Sequence, residues 1–317
     1  MVGKQSSMVG LVWCMTFLVL DAAQAVWFGG VLQSHDSFQI GFLVFGFSSL
    51  GCLIVVSLNT PGQFGLAFAN PGALLGMNLS AVGAWVCYFF AIQRIEPAIA
   101  FMIFSGMIPL TTIATGWLGV GEGERSRNRT EAFGNGLLFV GMVVLAVVTL
   151  TGHSGFVRGD ISVGIAGLVY AVAAGAMIAA MLMFSQRLDR RGMTPIAQFG
   201  LRFPLYLAFA FFGWQAGWDA KGAVALSDVL QAVAIGMVLL AFPIYAVQKA
   251  VAQVSSLTLA AIAATGPVLV FAFQMLDDRV TFAPATSLGL AICFSGALIA
   301  AFGAGRNIRR NRIPVVS

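Results

Sequence analysis

The sequence predicts an all-α polytopic membrane protein with ten transmembrane helices, arranged as two inverted five-helix repeats. The 317 residues are 59% hydrophobic and only 9% charged, whereas a soluble domain carries roughly 25% charged residues. Ten apolar segments are each about 20 residues long, which is enough to cross the hydrocarbon core of a bilayer as helices. One stretch in the first half of the chain is echoed in the second half. A chain so poor in charge cannot cover a water-facing surface, so we expect it to lie in lipid.

Each apolar segment is interpreted as a helix, because an isolated strand would leave its backbone polar groups unpaired in lipid. The first segment follows Lys4 and contains Ala-Gln-Ala at residues 23–25, a pattern that also fits a cleaved secretory signal. Since its apolar run continues to Leu32, we favour a retained first helix. The predicted spans are residues 9–32, 38–58, 72–93, 97–119, 133–151, 161–185, 195–217, 228–249, 254–276 and 284–305.

The internal echo relates residues 91–122 to residues 246–279. Each copy opens on Ala-(Ile or Val)-Gln-(Arg or Lys) and then runs as an apolar segment that ends in acidic residues. Each segment also has a proline near its middle, Pro109 in the first copy and Pro267 in the second. A proline inside a helix removes one backbone hydrogen bond, so we predict a kink at both positions.

The repeat divides the chain into two halves, residues 1–152 with spans 1–5 and residues 153–317 with spans 6–10. Because each half has an odd number of spans, the second enters the membrane from the opposite side, which is a common plan of secondary transporters. With ten spans both termini lie on one side, and placing that side in the cytoplasm leaves few basic residues outside. The positive-inside rule therefore predicts a multi-pass protein of the inner (plasma) membrane with cytoplasmic N- and C-termini. The outer basic residues are then Arg94, Arg158, Lys221 and Arg279.

The stretch AIQRIEPAIA, with Pro109 after it and Glu122 at its close, resembles the signature of EamA-like members of the drug/metabolite transporter (DMT) superfamily. Arg94 stands where that family often has tyrosine. Residues 278–281 resemble the family's Glu-x-x-Thr, with aspartate for glutamate, and residues 289–301 resemble its closing glycine-rich helix. The resemblance covers nearly the whole chain and implies a ten-helix carrier of two EamA-type halves. It implies little about the substrate, because the family carries amino acids, amines, sugars, nucleotides and drugs.

Polar side chains within the spans are candidates for function, because an ionised group there costs about 2.5–3.5 kcal/mol on insertion scales. Asp21, near the centre of span 1, is the leading candidate, and Gln24 lies one helical turn later on the same stripe. Asp21 is interpreted either as a proton-coupling group or counter-charge for a cationic substrate, or as a protonated acid bonded to a neighbouring helix. Arg202 in span 7 is suited to hold a substrate carboxylate, or to snorkel towards the surface.

Span 3 carries Asn78, Trp85 and Tyr88 on one face. Aromatic rings beside an acid suit a cationic or aromatic ligand, and the alternative is that these rings face the core or lipid. Further lining candidates are Tyr170 on span 6, Tyr245 and Gln248 on span 8, and Ser256 on span 9.

The sequence carries no hydrolase, ATPase or haem motif, and its cysteines lack ligand spacing. We therefore expect no catalytic residue, no metal and no cofactor. The predicted function is secondary transport, in the export direction, of a small organic metabolite such as an amino acid or amine, by alternating access with protons as the coupling ion. A non-transporting membrane scaffold or regulatory subunit is the alternative, and an enzyme is disfavoured. Expected partners are the substrate, the bilayer and protons rather than nucleic acid, and a monomer and a homodimer both stay open.

Overall fold

The structure is a computed structural model that describes residues 8–119, 128–254, 258 and 262–310, and the elements in these residues are helices. Within the described residues, nine of the eleven helices are long and apolar enough to span a membrane. In chain order the helices are α1 (Met8–Ser34), α2 (Ser37–Asn59), α3 (Gly62–Phe68), α4 (Pro71–Ile92), α5 (Pro97–Trp117), α6 (Arg129–Leu150), α7 (Ile161–Arg190), α8 (Pro195–Gln215), α9 (Leu226–Val247, continuing to Gln253), α10 (Gly266–Gln274) and α11 (Pro284–Arg310).

Nine of the ten predicted spans coincide with these nine long helices, apart from a few residues at the ends. The remaining one, residues 254–276, is described only in part, and its described helix is α10. The chain is therefore an all-α, multi-span membrane protein, as its composition predicted.

Short polar side chains begin several of the helices. Asp36 accepts hydrogen bonds from the backbone N–H groups of the first turn of α2, and Asp160 does the same for α7. Asn128 and Thr194 each accept one such bond at the start of α6 and α8. Each cap satisfies backbone donors that a helix N-terminus leaves unpaired. These caps locate the helix starts that hydropathy alone leaves uncertain.

Several pairs of helices pack against each other. Helix α1 packs against α9 and α10, and α7 packs against α4 and α5. Helix α2 contacts α9, and α8 contacts α4. Three further pairs are α2 with α8, α5 with α10, and α6 with α11.

Three of the long helices are irregular. Helix α1 contains the π-helical turn Gln24–Phe28, and α9 contains a second one at Met237–Ala241. Helix α8 breaks at Phe203, because Pro204 has no N–H to continue the backbone ladder. Such interruptions re-aim side chains and free backbone groups, and they are frequent at functional sites.

The two predicted kink residues occupy different positions in their helices. Pro109 lies inside the continuous helix α5. Pro267 is the second residue of α10, directly after a turn at residues 264–265. A proline in the first helical turn removes no hydrogen bond within that helix, so Pro267 suits the start of α10. Residues 259–261 of this predicted span lie outside the described residues, and the kink at Pro267 stays a prediction.

Glycines allow α6 and α11 to approach closely. A Cβ atom on Gly134 would lie 2.3 Å from the backbone N of Ala300, and one on Gly296 would lie 2.4 Å from the backbone N of Leu138. Real Cβ atoms do not come so close to backbone, so a side chain at either position would force the helices apart. Close approach through small residues is a usual way for membrane helices to pack.

Candidate functional site

The candidate site is a polar cluster where α1 meets α4, and it contains Asp21, Gln24 and Tyr88. The Tyr88 hydroxyl donates a hydrogen bond to Gln24 Oε1 at 3.3 Å. The Asp21 carboxyl group lies within electrostatic range of the Tyr88 phenol. Gln24 and Tyr88 are buried, whereas Asp21 is partly exposed. Three residues that the sequence singled out on two different spans thus lie together.

The π-helical turn in α1 begins at Gln24, which is one of the cluster residues. A π turn contains an extra residue, so it frees a backbone carbonyl from the regular ladder. The carbonyl of Val26, inside the turn, accepts a hydrogen bond from the Gly29 N–H and a second one from Arg279 Nη2 at 2.8 Å. The irregular part of α1 is therefore stabilised by a side chain from the second half of the chain.

Two buried donors in and beside the cluster have no partner among the described residues. They are Gln24 Nε2 and Trp85 Nε1. The Trp85 ring lies edge-on to Tyr88, with 6.2 Å between ring centroids, and Phe104 of α5 packs on Tyr88 at 4.6 Å. Buried polar atoms are usually hydrogen-bonded, so an unpaired donor indicates a place for an acceptor. A carboxylate next to unpaired N–H donors suits a ligand that carries both an ammonium and an acceptor group.

Arg202 lies directly before the break in α8 and makes no ion pair in the described part of the protein. Its Nε atom is buried, and no acceptor among the described residues reaches it, although the residue as a whole is partly exposed. Its neighbour Phe203 stacks on Phe45 with 4.2 Å between centroids, and Phe45 in turn packs on Trp85 at 5.0 Å. Its predicted role as a partner for a substrate carboxylate stays a prediction.

Asn78 uses its side-chain amide on the backbone of α8. Its Nδ2 donates to the Leu201 carbonyl at 2.8 Å, and its Oδ1 accepts from the Leu205 N–H at 3.3 Å. These two groups would bond to each other in an unbroken helix. The amide therefore bridges the break before Pro204, which is a structural use of a residue that the sequence suggested for ligand contact.

Two of the other predicted lining residues, Tyr170 and Tyr245, lie away from the cluster. Tyr170 packs near the end of α4, with the Arg94 guanidinium 5.3 Å from its ring centroid. Tyr245 lines an apolar groove of about 430 Å³ between α2, α8 and α9, and it is 43% exposed. The side chain of Gln248 and the whole of Ser256 lie outside the described residues.

Glu96 joins several segments at one end of the bundle, and the sequence analysis did not single it out. Glu96 is the residue before α5 and is fully buried. Its carboxylate accepts hydrogen bonds from the Gly155 N–H at 2.7 Å, from Thr286 Oγ1 at 2.8 Å and from Gln274 Nε2. The Gln274 side chain also accepts from the Ala98 N–H at 3.0 Å. One carboxylate therefore joins the start of α5 to the α6–α7 connection, the end of α10 and the start of α11.

Burial raises the pKa of the Glu96 carboxyl group, and the three hydrogen bonds that it accepts only partly oppose this rise. The sequence does contain a signal for this residue. It is an acid directly before Pro97, at the start of an apolar run. Acids at span ends are common and solvated, so the pattern alone does not identify a buried one.

A second link lies at the same end of the bundle. The Arg279 guanidinium pairs with the Asp277 carboxylate and reaches α1 through Val26. Burial would raise the pKa of Asp277, but its hydrogen bonds with Arg279 hold that pKa below the usual range. This ion pair and the Glu96 contacts together fasten α1 and α5 to the α10–α11 region.

A cavity of about 500 Å³ opens between α5, α6, α10 and α11. Both Pro109 and Pro267 line it, together with Glu131 and Asn135 near the start of α6. Asn135 is also absent from the sequence predictions. Its signal is a single amide in an otherwise apolar run.

No protein-family model matches the sequence, and no curated protein matches it. Fifteen chains of solved structures match the fold. One of them, described only as the crystal structure of a protein, aligns with a TM-score of 0.61 and 17% sequence identity. The alignment covers 96% of this chain and 99% of that chain. This likeness shows a shared fold over nearly the whole length of both proteins.

Proposed function

We propose that the protein is a secondary transporter that exports a small organic metabolite, such as an amino acid or amine, by alternating access with proton coupling. The observation that carries the proposal is the Asp21 cluster. It combines a carboxyl group near the centre of α1 with buried N–H donors on Gln24 and Trp85 that no acceptor in the described part of the chain reaches. Inserting an ionisable residue into the membrane costs free energy, so such a residue is a candidate for function. A ligand with an ammonium group and a carboxylate would occupy both kinds of partner.

The helix packing supports two repeated halves. Suppose that the spans of the first half, α1, α2, α4, α5 and α6, correspond in that order to α7, α8, α9, α10 and α11. Replacing both helices of a contacting pair by their counterparts then gives another contacting pair. The pair α1–α9 then corresponds to α7–α4, α1–α10 to α7–α5, and α2–α9 to α8–α4. The pairs α2–α8, α5–α10 and α6–α11 correspond to themselves. This is the pattern expected of an inverted repeat with a two-fold axis in the membrane plane, and it agrees with the resemblance to EamA-like carriers.

The positive-inside orientation assigns the closed end of the bundle to the outside of the cell. In that orientation Glu96 and Arg279 lie at the outer surface of the inner membrane, and both termini are cytoplasmic. The Glu96 contacts then act as an outer closure that must open when the substrate leaves. A carrier of this kind alternates between closure at the two ends.

The test is transport in proteoliposomes under an imposed pH gradient, with a panel of radiolabelled amino acids and amines. We expect one class to be moved faster when the gradient is present. Asp21→Asn should abolish this acceleration, because an amide cannot carry the proton. Asp228→Asn is the matched control, since Asp228 is exposed at the start of α9. Equal acceleration in parent and Asp21→Asn would remove Asp21 from the coupling role.

If no compound of the panel is transported and none raises the unfolding temperature, the protein is better interpreted as a scaffold or regulatory subunit. In that case a second protein should co-purify with the chain.

A further inference from the structure

The cavity between α5, α6, α10 and α11 is separate from the Asp21 cluster, and none of the cluster residues lines it. Its volume of about 500 Å³ falls in the range of roughly 300–1,000 Å³ that is usual for small-molecule sites. Small side chains on one wall create the space. They include Ala297, Ala300, Ala301 and Ala304 of α11.

Asn135 lines this cavity, and its side-chain oxygen Oδ1 is the acceptor that a ligand would have to reach. Asn135 is only 7% exposed, and its Nδ2 donates to the Glu131 carbonyl at 2.9 Å. That bond fixes the orientation of the amide and leaves Oδ1 as an acceptor. No donor in the described part of the chain reaches this buried oxygen. Since buried acceptors are normally satisfied, the oxygen marks where a ligand donor would bind.

The walls define the rest of the ligand. Met102, Pro109, Pro267 and Phe294 present apolar surface to the cavity. A ligand that matches these walls and also reaches Asn135 Oδ1 has an apolar body and one N–H donor.

We propose that this cavity is a second binding site, for an amphipathic primary amine whose ammonium group donates to Asn135 Oδ1. The apolar part of the amine packs between Pro109 and Pro267. Because it contacts both proline-bearing helices at once, the bound amine stabilises the arrangement of α5 and α10 seen in the structure. This site does not depend on the transport activity proposed above.

The experiment measures the unfolding temperature of the full chain in detergent at increasing concentrations of 4-phenylbutylamine. Butylbenzene and 4-phenylbutyrate serve as probes with the same apolar body but without a donor or with the opposite charge. We expect a saturable rise in unfolding temperature with the amine and none with the other two. Asn135→Leu should weaken the apparent affinity about five- to tenfold, the effect of one buried hydrogen bond.

Two further variants keep the test decisive. Ala301→Phe fills the cavity and should abolish the saturable response while Asn135 is retained. Gly136→Ala, whose new methyl group meets nothing within 4 Å, should behave as the parent. The same response in all variants would mean that the amine acts through the micelle, and the site would be refuted. Binding of butylbenzene as tight as that of the amine would refute the assignment of an amine, because an apolar chain would then suffice. No transport is measured, so failure here is independent of the Asp21 experiment.

Discussion

Replacing Glu96 with alanine removes the acceptor that joins four segments at one end of the bundle. In the parent, the carboxylate accepts three hydrogen bonds, and all of its surroundings are buried. After the substitution, the Gly155 N–H, Gln274 Nε2 and Thr286 Oγ1 have no acceptor at that position. Water reaches this site poorly because Gln274 and Thr286 are themselves fully buried.

The magnitude follows from these three donors. A buried donor without a partner costs about 1–3 kcal/mol, and breaking a buried charged contact by removing one side typically costs about 3–5 kcal/mol. Relief of the desolvation of the carboxylate offsets part of the loss. We therefore expect Glu96→Ala to lower the free energy of unfolding by about 3–5 kcal/mol. Thr286→Val removes a single hydrogen bond and should cost only about 1 kcal/mol.

The assay is denaturant unfolding in a mild detergent, followed by tryptophan fluorescence and extrapolated linearly to zero denaturant. The parent, Glu96→Ala and Thr286→Val are compared under identical conditions. Equal stabilities for the two variants, or a loss of less than about 1 kcal/mol for Glu96→Ala, would be inconsistent with three donors converging on one carboxylate.

Two other predictions concern pH and packing. The pKa of Glu96 in the folded chain lies above its ordinary value of 4.5. Between these two pKa values the folded chain binds more protons than the unfolded chain. The free energy of unfolding therefore rises as the pH falls through the folded pKa. Thermal unfolding measured from pH 8 to pH 5 should show this rise in the parent and less of it in Glu96→Gln; parallel profiles would contradict it. Gly296→Leu should lower the thermal midpoint strongly, because its Cβ meets backbone of α6 at 2.4 Å. Gly136→Ala on the exposed side should not lower it, because alanine favours a helix more than glycine does. Similar midpoints for the two variants would refute the close approach of α6 and α11.

The candidate site was predictable only in part. Asp21, Gln24, Trp85 and Tyr88 are recognisable in the sequence because each is a polar or amphipathic residue within a long apolar run. That two of these residues on different spans share a hydrogen bond depends on how α1 and α4 are rotated against each other. Asn78 belongs to the same stripe in the sequence, yet its amide bridges the break in α8. Periodicity within one helix does not report which neighbour a face meets.

The burial of Glu96 illustrates the same difference. An acid at the end of a span is ordinarily solvated, and its position before Pro97 does not by itself distinguish a buried acid from a solvated one. Its three donors come from residues 155, 274 and 286, which are far from it along the chain. Only the packing of α5 against α10 and α11 brings those donors together.

Hydropathy and length are properties of contiguous residues, and they were enough to predict a multi-span helical protein and nine spans that coincide with helices. Helix starts at caps, the π turn in α1 and the break in α8 depend on backbone groups that compete for partners from other segments. The tertiary structure therefore decided which polar residues are buried, which of them meet, and where a cavity remains. The physical reason is that the free energy of inserting a helix into lipid depends on its own composition, whereas the pairing of buried polar atoms depends on neighbours that are distant in the sequence.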